Sequence, residues 1–194
     1  MLILVHPWLE PNSDTILPRN FRKHHQQLLQ QSGGCQVSNM PRSMSSWRRF
    51  WNLSIPLQIR TPWYRLLQHK FPCASRMHKL LASSFSSECR FCQIPNVEDE
   101  MHFILLCPKK FEVWARVWHH FFGELALTVN TMEQAIFHLR FPPQKLSAFS
   151  NESIVGCAFW CIWRAHWMFI FNGHPFIPSK VFRAIIGCLE SFKH

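Results

Sequence analysis

Acidic residues are scarce in this chain: 11 Asp and Glu stand against 21 Lys and Arg, and only Asp14 and Asp99 are aspartates. Nucleases and polymerases that work through paired cations need several carboxylates converging on the metals. This chain cannot easily supply them, so nucleotidyl transfer by this chain alone is not expected, and the chain is expected not to be an enzyme. A secretory leader is not expected either. Met1-Leu-Ile-Leu-Val is a short apolar start without a basic flank, and Pro7 interrupts it. The 8 Cys are therefore not read as a secreted disulfide framework. An intracellular setting is expected, with the nucleus as one candidate compartment. Uninterrupted membrane-length apolar runs are missing too. The most apolar segment, residues 154–172, is broken by Arg164 and His166, whereas a span needs about 20 predominantly apolar residues. It reads as a buried core helix, with no membrane partner.

What is present is apolar, aromatic and basic. The 194 residues are 47% apolar, with 18 Phe and 9 Trp beside 1 Tyr. That suffices for one modest core, or a small core with appended segments, anchored by large rings. The formal charge is +10 before any of the 12 His is counted. Such a balance favours polyanions, with RNA or DNA first.

The fold class expected is mostly α, with a small metal-stapled helical module and a C-terminal helical extension. Residues 1–45 hold Pro7, Pro11, Pro18, Pro41 and a Gln-rich patch; they read as poorly structured, apart from a short helix over 19–31. The module covers 46–122. Its denser part begins at Trp47, and a helix is expected over 63–70 with Pro62 in its first turn. Phe71-Pro72 ends that helix, and a second covers 75–81. In 109–125, Phe111, Trp114, Val117, Trp118 and Phe121 recur at three- and four-residue steps, which is a wide apolar face. The same rings could stack bases, but the periodicity favours core. The extension, 123–194, carries helices over 132–139, 154–172 with Asn172-Gly173 as its stop, and 179–192.

Chemistry concentrates in C-R-F-C-Q-I-P-N-V-E-D-E-M-H-F-I-L-L-C. Cys89 and Cys92 form a C-x-x-C pair, and His102 and Cys107 follow in order. Three thiolates and one imidazole complete a tetrahedral shell for Zn²⁺, and a filled shell builds structure instead of activating water. Cys107 at a helix N-cap with Pro108 at the first helical position costs no hydrogen bond and places a thiolate at the positive end of a helix. Asn96-Val-Glu-Asp-Glu reads as an exposed acidic loop. His69, His78 and the His119–His120 pair are rival ligands on predicted helices. Cys157 and Cys161 are one helical turn apart, and their neighbours Phe159, Trp160 and Ile162 favour packing over a second metal site.

These residues resemble the zinc-binding domain downstream of the reverse transcriptase domain in non-LTR (LINE-type) retrotransposons. The resemblance runs from about Trp47 to Trp118. It rests on Phe50-Trp51, Ile55-Pro56, Trp63-Tyr64-Arg65-Leu66-Leu67, Phe71-Pro72, Leu80, Cys89-x-x-Cys92, His102-x-Phe-x-x-x-Cys107, Pro108 and Trp114. Cys73 stands where that family tends to place a helix-capping Thr. Ile162-Trp163-Arg164-Ala165 is similar to the helix that often follows the domain. The resemblance implies a non-catalytic zinc module of a retrotransposon polyprotein, present here as a fragment or remnant. Cys89, Cys92, His102 and Cys107 would be its ligands, and the reverse transcriptase a further partner.

Arg42, Arg48, Arg49, Arg60, Arg65, Lys70, Arg76, Lys79, Lys109 and Lys110 could form a phosphate-binding face. The competing reading is a protein–protein interaction module without nucleic-acid affinity.

Overall fold

The computed structural model describes residues 43–92, 96–123, 127–143 and 148–192. The expected helix over 19–31 and the side chain of Arg42 lie outside them. Described in order are α1 (Met44–Trp51), α2 (Leu57–Leu67), α3 (Ala74–Leu80), a π-helical turn (His102–Leu106), α4 (Pro108–Phe122), α5 (Val129–Ile136), α6 (Asn151–Asn172) and α7 (Pro178–Glu190). Strand pairing among the described residues is limited to one antiparallel bridge, Glu88 with Val97. The chain is mostly helical, as expected, and residues 42–194 form one compact unit.

Two helices depart from the sequence expectation. The first, α1, begins within the segment expected to be poorly structured; Trp47, Phe50 and Trp51 fall at three- and four-residue steps, Ser43 caps it by accepting from the Ser46 amide (3.2 Å), and Phe50 is fully buried. The second, α2, starts at Leu57, about one and a half turns earlier than expected, so Pro62 lies inside it, and it ends at Leu67. Proline in a helix interior removes a hydrogen bond and crowds the preceding turn. Here the early turn places Ile59 in the core with no exposed surface, beside Trp63 and Leu66, and that burial offsets the cost.

The long apolar segment forms α6, which packs against α2, α4 and α7. By length and composition alone it could cross a membrane. In this fold Ile154 to Phe159, Cys161, Ile162, His166 and Trp167 are instead buried inside the protein. Gly173 ends it in the left-handed region (φ 67°), where a residue without Cβ is favoured. The Trp63 indole donates to the Ile136 carbonyl at 2.9 Å, joining α2 to α5. Phe71 packs edge-on against Phe103 (4.9 Å) and against Phe159 (5.5 Å), so one ring links the region of the π turn to α6.

Helices α2 and α6 touch at Gly156. A Cβ added there would sit 2.9 Å from Ile59 Cγ2 and 3.2 Å from the Trp63 ring. Gly156→Ala is expected to destabilise the fold by about 1–2 kcal/mol in denaturant unfolding, the overpacking outweighing the gain in helix propensity. An unchanged or raised midpoint would show that the two helices can separate freely.

Candidate metal centre

The metal loop is closed by backbone pairing before any ligand is considered. Cys89 N–H donates to the Asn96 carbonyl (2.8 Å) and Glu98 N–H to the Ser87 carbonyl (2.9 Å). This closes the base of the loop that carries the C-x-x-C turn. Asp99 then caps the π turn, accepting the His102 amide on its side chain (2.7 Å) and the Phe103 amide on its carbonyl (2.9 Å).

The π turn determines where the last two ligands point. In an α-helix, residues five apart project about 140° from one another. Here Cys107 N–H donates to the His102 carbonyl at 2.9 Å, the five-residue closure of a π-helix. That wider turn brings residues 102 and 107 to one side. Cys107 is the N-cap of α4 and Pro108 its first residue, as expected from Cys-Pro.

The four ligand atoms of Cys89, Cys92, His102 and Cys107 all lie within 4.8 Å of one another. Cys89 Sγ is 3.8 Å from Cys107 Sγ, and Cys92 Sγ is 3.3 Å from His102 Nε2. Tetrahedral zinc, with Zn–S near 2.3 Å and Zn–N near 2.05 Å, implies S–S edges of about 3.8 Å and S–N edges of about 3.6 Å. The residues present fit the ion. Cys89, His102 and Cys107 are buried and Cys92 is half-exposed.

Electrostatics act unevenly on the four. Burial, then the charge of Lys110, lowers the His102 pKa, which keeps the imidazole neutral, as a ligand must be. A hydrogen bond from Cys89, the charge of Lys110 and the Lys110 backbone amide hold the Cys107 thiol below its usual range against burial. That same hydrogen bond, together with burial, pushes Cys89 up, and burial raises Cys92.

The rival histidines are engaged elsewhere. His69 pairs with Glu100 (3.0 Å), His78 Nδ1 faces the Phe85 carbonyl (2.5 Å), and His119 and His120 are exposed on α4.

Behind the ligands lies a buried ion cluster that contradicts two sequence expectations. Lys110 is not part of a phosphate-binding face. Its side chain and that of Glu98 have no exposed surface, and Lys110 Nζ is 2.8 Å from Glu98 Oε2. The ammonium also sits 3.5 Å from the centroid of the Phe103 ring. Nor is Glu98 on an exposed acidic loop; of that stretch Asn96, Val97 and Asp99 face solvent. Its other oxygen accepts the Ala74 amide (3.2 Å), and its carbonyl accepts the Ser75 amide (3.0 Å). Glu98 therefore supplies the cap for α3 that Cys73, at the N-cap without a side-chain cap bond, does not. His166 Nε2 lies 3.5 Å from Glu98 Oε1; burial and the Lys110 charge hold its pKa well below the usual histidine range. The available sequence signal for Lys110 was its register: it is four residues before Trp114 and seven before Val117 on the buried stripe.

That stripe is core. Trp114 and Trp118 are each 1% exposed, so neither ring is open to a base. Of the remaining basic candidates, Arg48, Arg49, Arg65, Lys70, Lys79 and Lys109 are exposed. Arg60 donates to the Leu53 and Ile55 carbonyls (2.6 and 3.2 Å), and Arg76 donates to the His69 carbonyl.

Residues 29–114 match a family model described as zinc-binding in reverse transcriptase. The match contains all four ligands and ends in α4. It supports a reverse-transcriptase zinc-binding domain over that part of the chain, with Zn²⁺ as its metal. No curated protein and no solved structure matches the chain.

Proposed function

We propose that this chain is the non-catalytic zinc module of a non-LTR retrotransposon reverse transcriptase, and that it supports RNA or DNA binding. The convergence of three cysteines and one histidine to within 4.8 Å, inside a segment that matches zinc-binding in reverse transcriptase, carries the reading. With four protein ligands the ion keeps no open position for water, so its chemistry is structural. It would tie the C-x-x-C turn to the start of α4, and through Glu98 and Lys110 to α3 and α6.

Nucleic-acid contact is favoured at α1. Arg48 and Arg49 are exposed on the same helix as Trp51, whose side chain is 49% exposed. The Trp51 ring also packs, tilted, 5.3 Å from that of Tyr64, the neighbour in sequence of exposed Arg65. Cations beside a half-open indole suit a single strand, with phosphates on the guanidinium groups and a base on the ring.

Binding of a single-stranded RNA by zinc-loaded protein, titrated against salt, tests this. Affinity should fall steeply with salt, and Arg48→Gln with Arg49→Gln should flatten the log–log slope by about 1 to 2. Negligible affinity at low salt would reject the nucleic-acid role. Met44 (80% exposed) and Leu57 (73%) favour the second reading, docking onto a polymerase domain, in that event.

A further inference from the structure

Helices α6 and α7 carry none of the zinc ligands, yet they bring together three other cysteines. Cys157 and Cys161 stand one turn apart on α6, and Cys188 faces them from α7. Cys188 Sγ is 3.5 Å from Cys157 Sγ, and Cys161 lines the same cavity as Cys188. All three are free.

Their exposures differ in a useful way. Cys157 has no exposed surface, whereas Cys188 is half-buried. Cys161, Cys188, Arg164 and Lys180 line one open cavity of about 530 Å³. A small solute can therefore reach Cys188 through the cavity, while Cys157 lies screened behind it. Among the described residues, only the zinc cluster gathers three or more ligand atoms within 4.8 Å of one another. The trio on α6 and α7 does not converge in that way, which favours pairwise sulfur chemistry over a second metal.

We propose that Cys188 and Cys157 form an oxidation site, in which a peroxide oxidises Cys188 and Cys157 resolves it into a disulfide joining α7 to α6, with Cys161 as the reserve thiol. The Cys188 thiolate attacks one peroxide oxygen; an S–O bond forms, the O–O bond breaks, and the leaving hydroxide takes a proton to become water. Cys157 sulfur then attacks the Cys188 sulfenic sulfur. The S–S bond forms, the S–O bond breaks, and the hydroxide leaves as water with the Cys157 proton. Two thiols and one hydrogen peroxide give one disulfide and two waters, the peroxide accepting both electrons.

Geometry and charge support each step. A separation of 3.5 Å must close to about 2.0 Å, which side-chain rotation on two packed helices can approach. The thiolate is the reactive form, and the neighbouring thiols of Cys157 and Cys161, with the Arg164 charge, lower the Cys188 pKa against burial. The contact with Cys188 and then burial raise Cys157 and Cys161, and exposure gives the same order, since Cys188 lines the cavity and Cys157 does not.

Zinc-loaded, full-length protein treated with one equivalent of hydrogen peroxide, alkylated and digested without reductant tests the site. The peptides holding Cys157 and Cys188 should be joined, short of two hydrogens, and separable by dithiothreitol, with zinc retained. Arg164→Gln should slow loss of the Cys188 thiol several-fold. Cys188 that stays reduced, or that accumulates unlinked as sulfinic acid while the zinc thiols oxidise, would overturn the proposal. The wild-type peptide map decides without any variant having to fold.

Discussion

Cys107→Ser is expected to abolish stoichiometric zinc and to collapse the segment from α3 to the start of α4. The substitution is informative because serine is a better N-cap than cysteine. Cys107 occupies the N-cap of α4, so without a metal the change should be neutral or slightly stabilising for that helix. With a metal it removes one of the buried thiolates that close the shell. Structural zinc contributes about 10–16 kcal/mol in small peptides at neutral pH, against a typical domain stability of about 5–15 kcal/mol. The two outcomes therefore differ in sign as well as size. Metal content of the purified variant, with urea unfolding followed by tryptophan fluorescence, separates them. A variant that still holds one zinc, or that is metal-free yet as stable as the parent, would remove the basis of the zinc centre. His78→Ala is the matched control: its ring serves the Phe85 carbonyl outside the cluster, and zinc should remain.

Lys110→Met should cost about 3–5 kcal/mol in zinc-saturated protein, the usual penalty for leaving one charge of a buried pair alone. Neither side chain of the Lys110–Glu98 pair has exposed surface, so water cannot replace the lost partner. Adding Glu98→Gln should recover much of the loss. A glutamine oxygen can still accept the Ala74 amide that Glu98 now holds, while the orphaned charge is gone. Denaturant midpoints of the two single variants and the double variant close the cycle. If both singles were within a few tenths of a kcal/mol of the parent, the pair would be exposed to water in solution and its part in joining α3, α4 and α6 would be lost.

Much of the metal centre could be read from spacing. Cys89, Cys92, His102 and Cys107 are local in sequence, and Cys107-Pro108 marks a helix start through backbone chemistry that does not depend on the rest of the fold. The same holds for the Trp and Phe stripe of α4, whose period alone predicts a buried face, and for Gly173 as the end of α6. The π turn was not legible, since nothing in His-Phe-Ile-Leu-Leu distinguishes a five-residue closure from a four-residue one. It arises because both His102 and Cys107 must face the same point while Phe103, Ile104 and Leu105 remain in the core.

Residue type and short-range period pointed to the ligand set and made the class helical, because those properties are local in the chain. Packing alone settled which charges meet water. Lys110, Glu98 and His166 come from three separate segments, and a residue's charge does not record whether a partner will arrive to neutralise it. The same is true of Pro62 inside α2 and of Cys188 opposite Cys157: each is tolerated or made reactive by a neighbour distant in sequence, and the energy of that encounter exists only once the helices have come together.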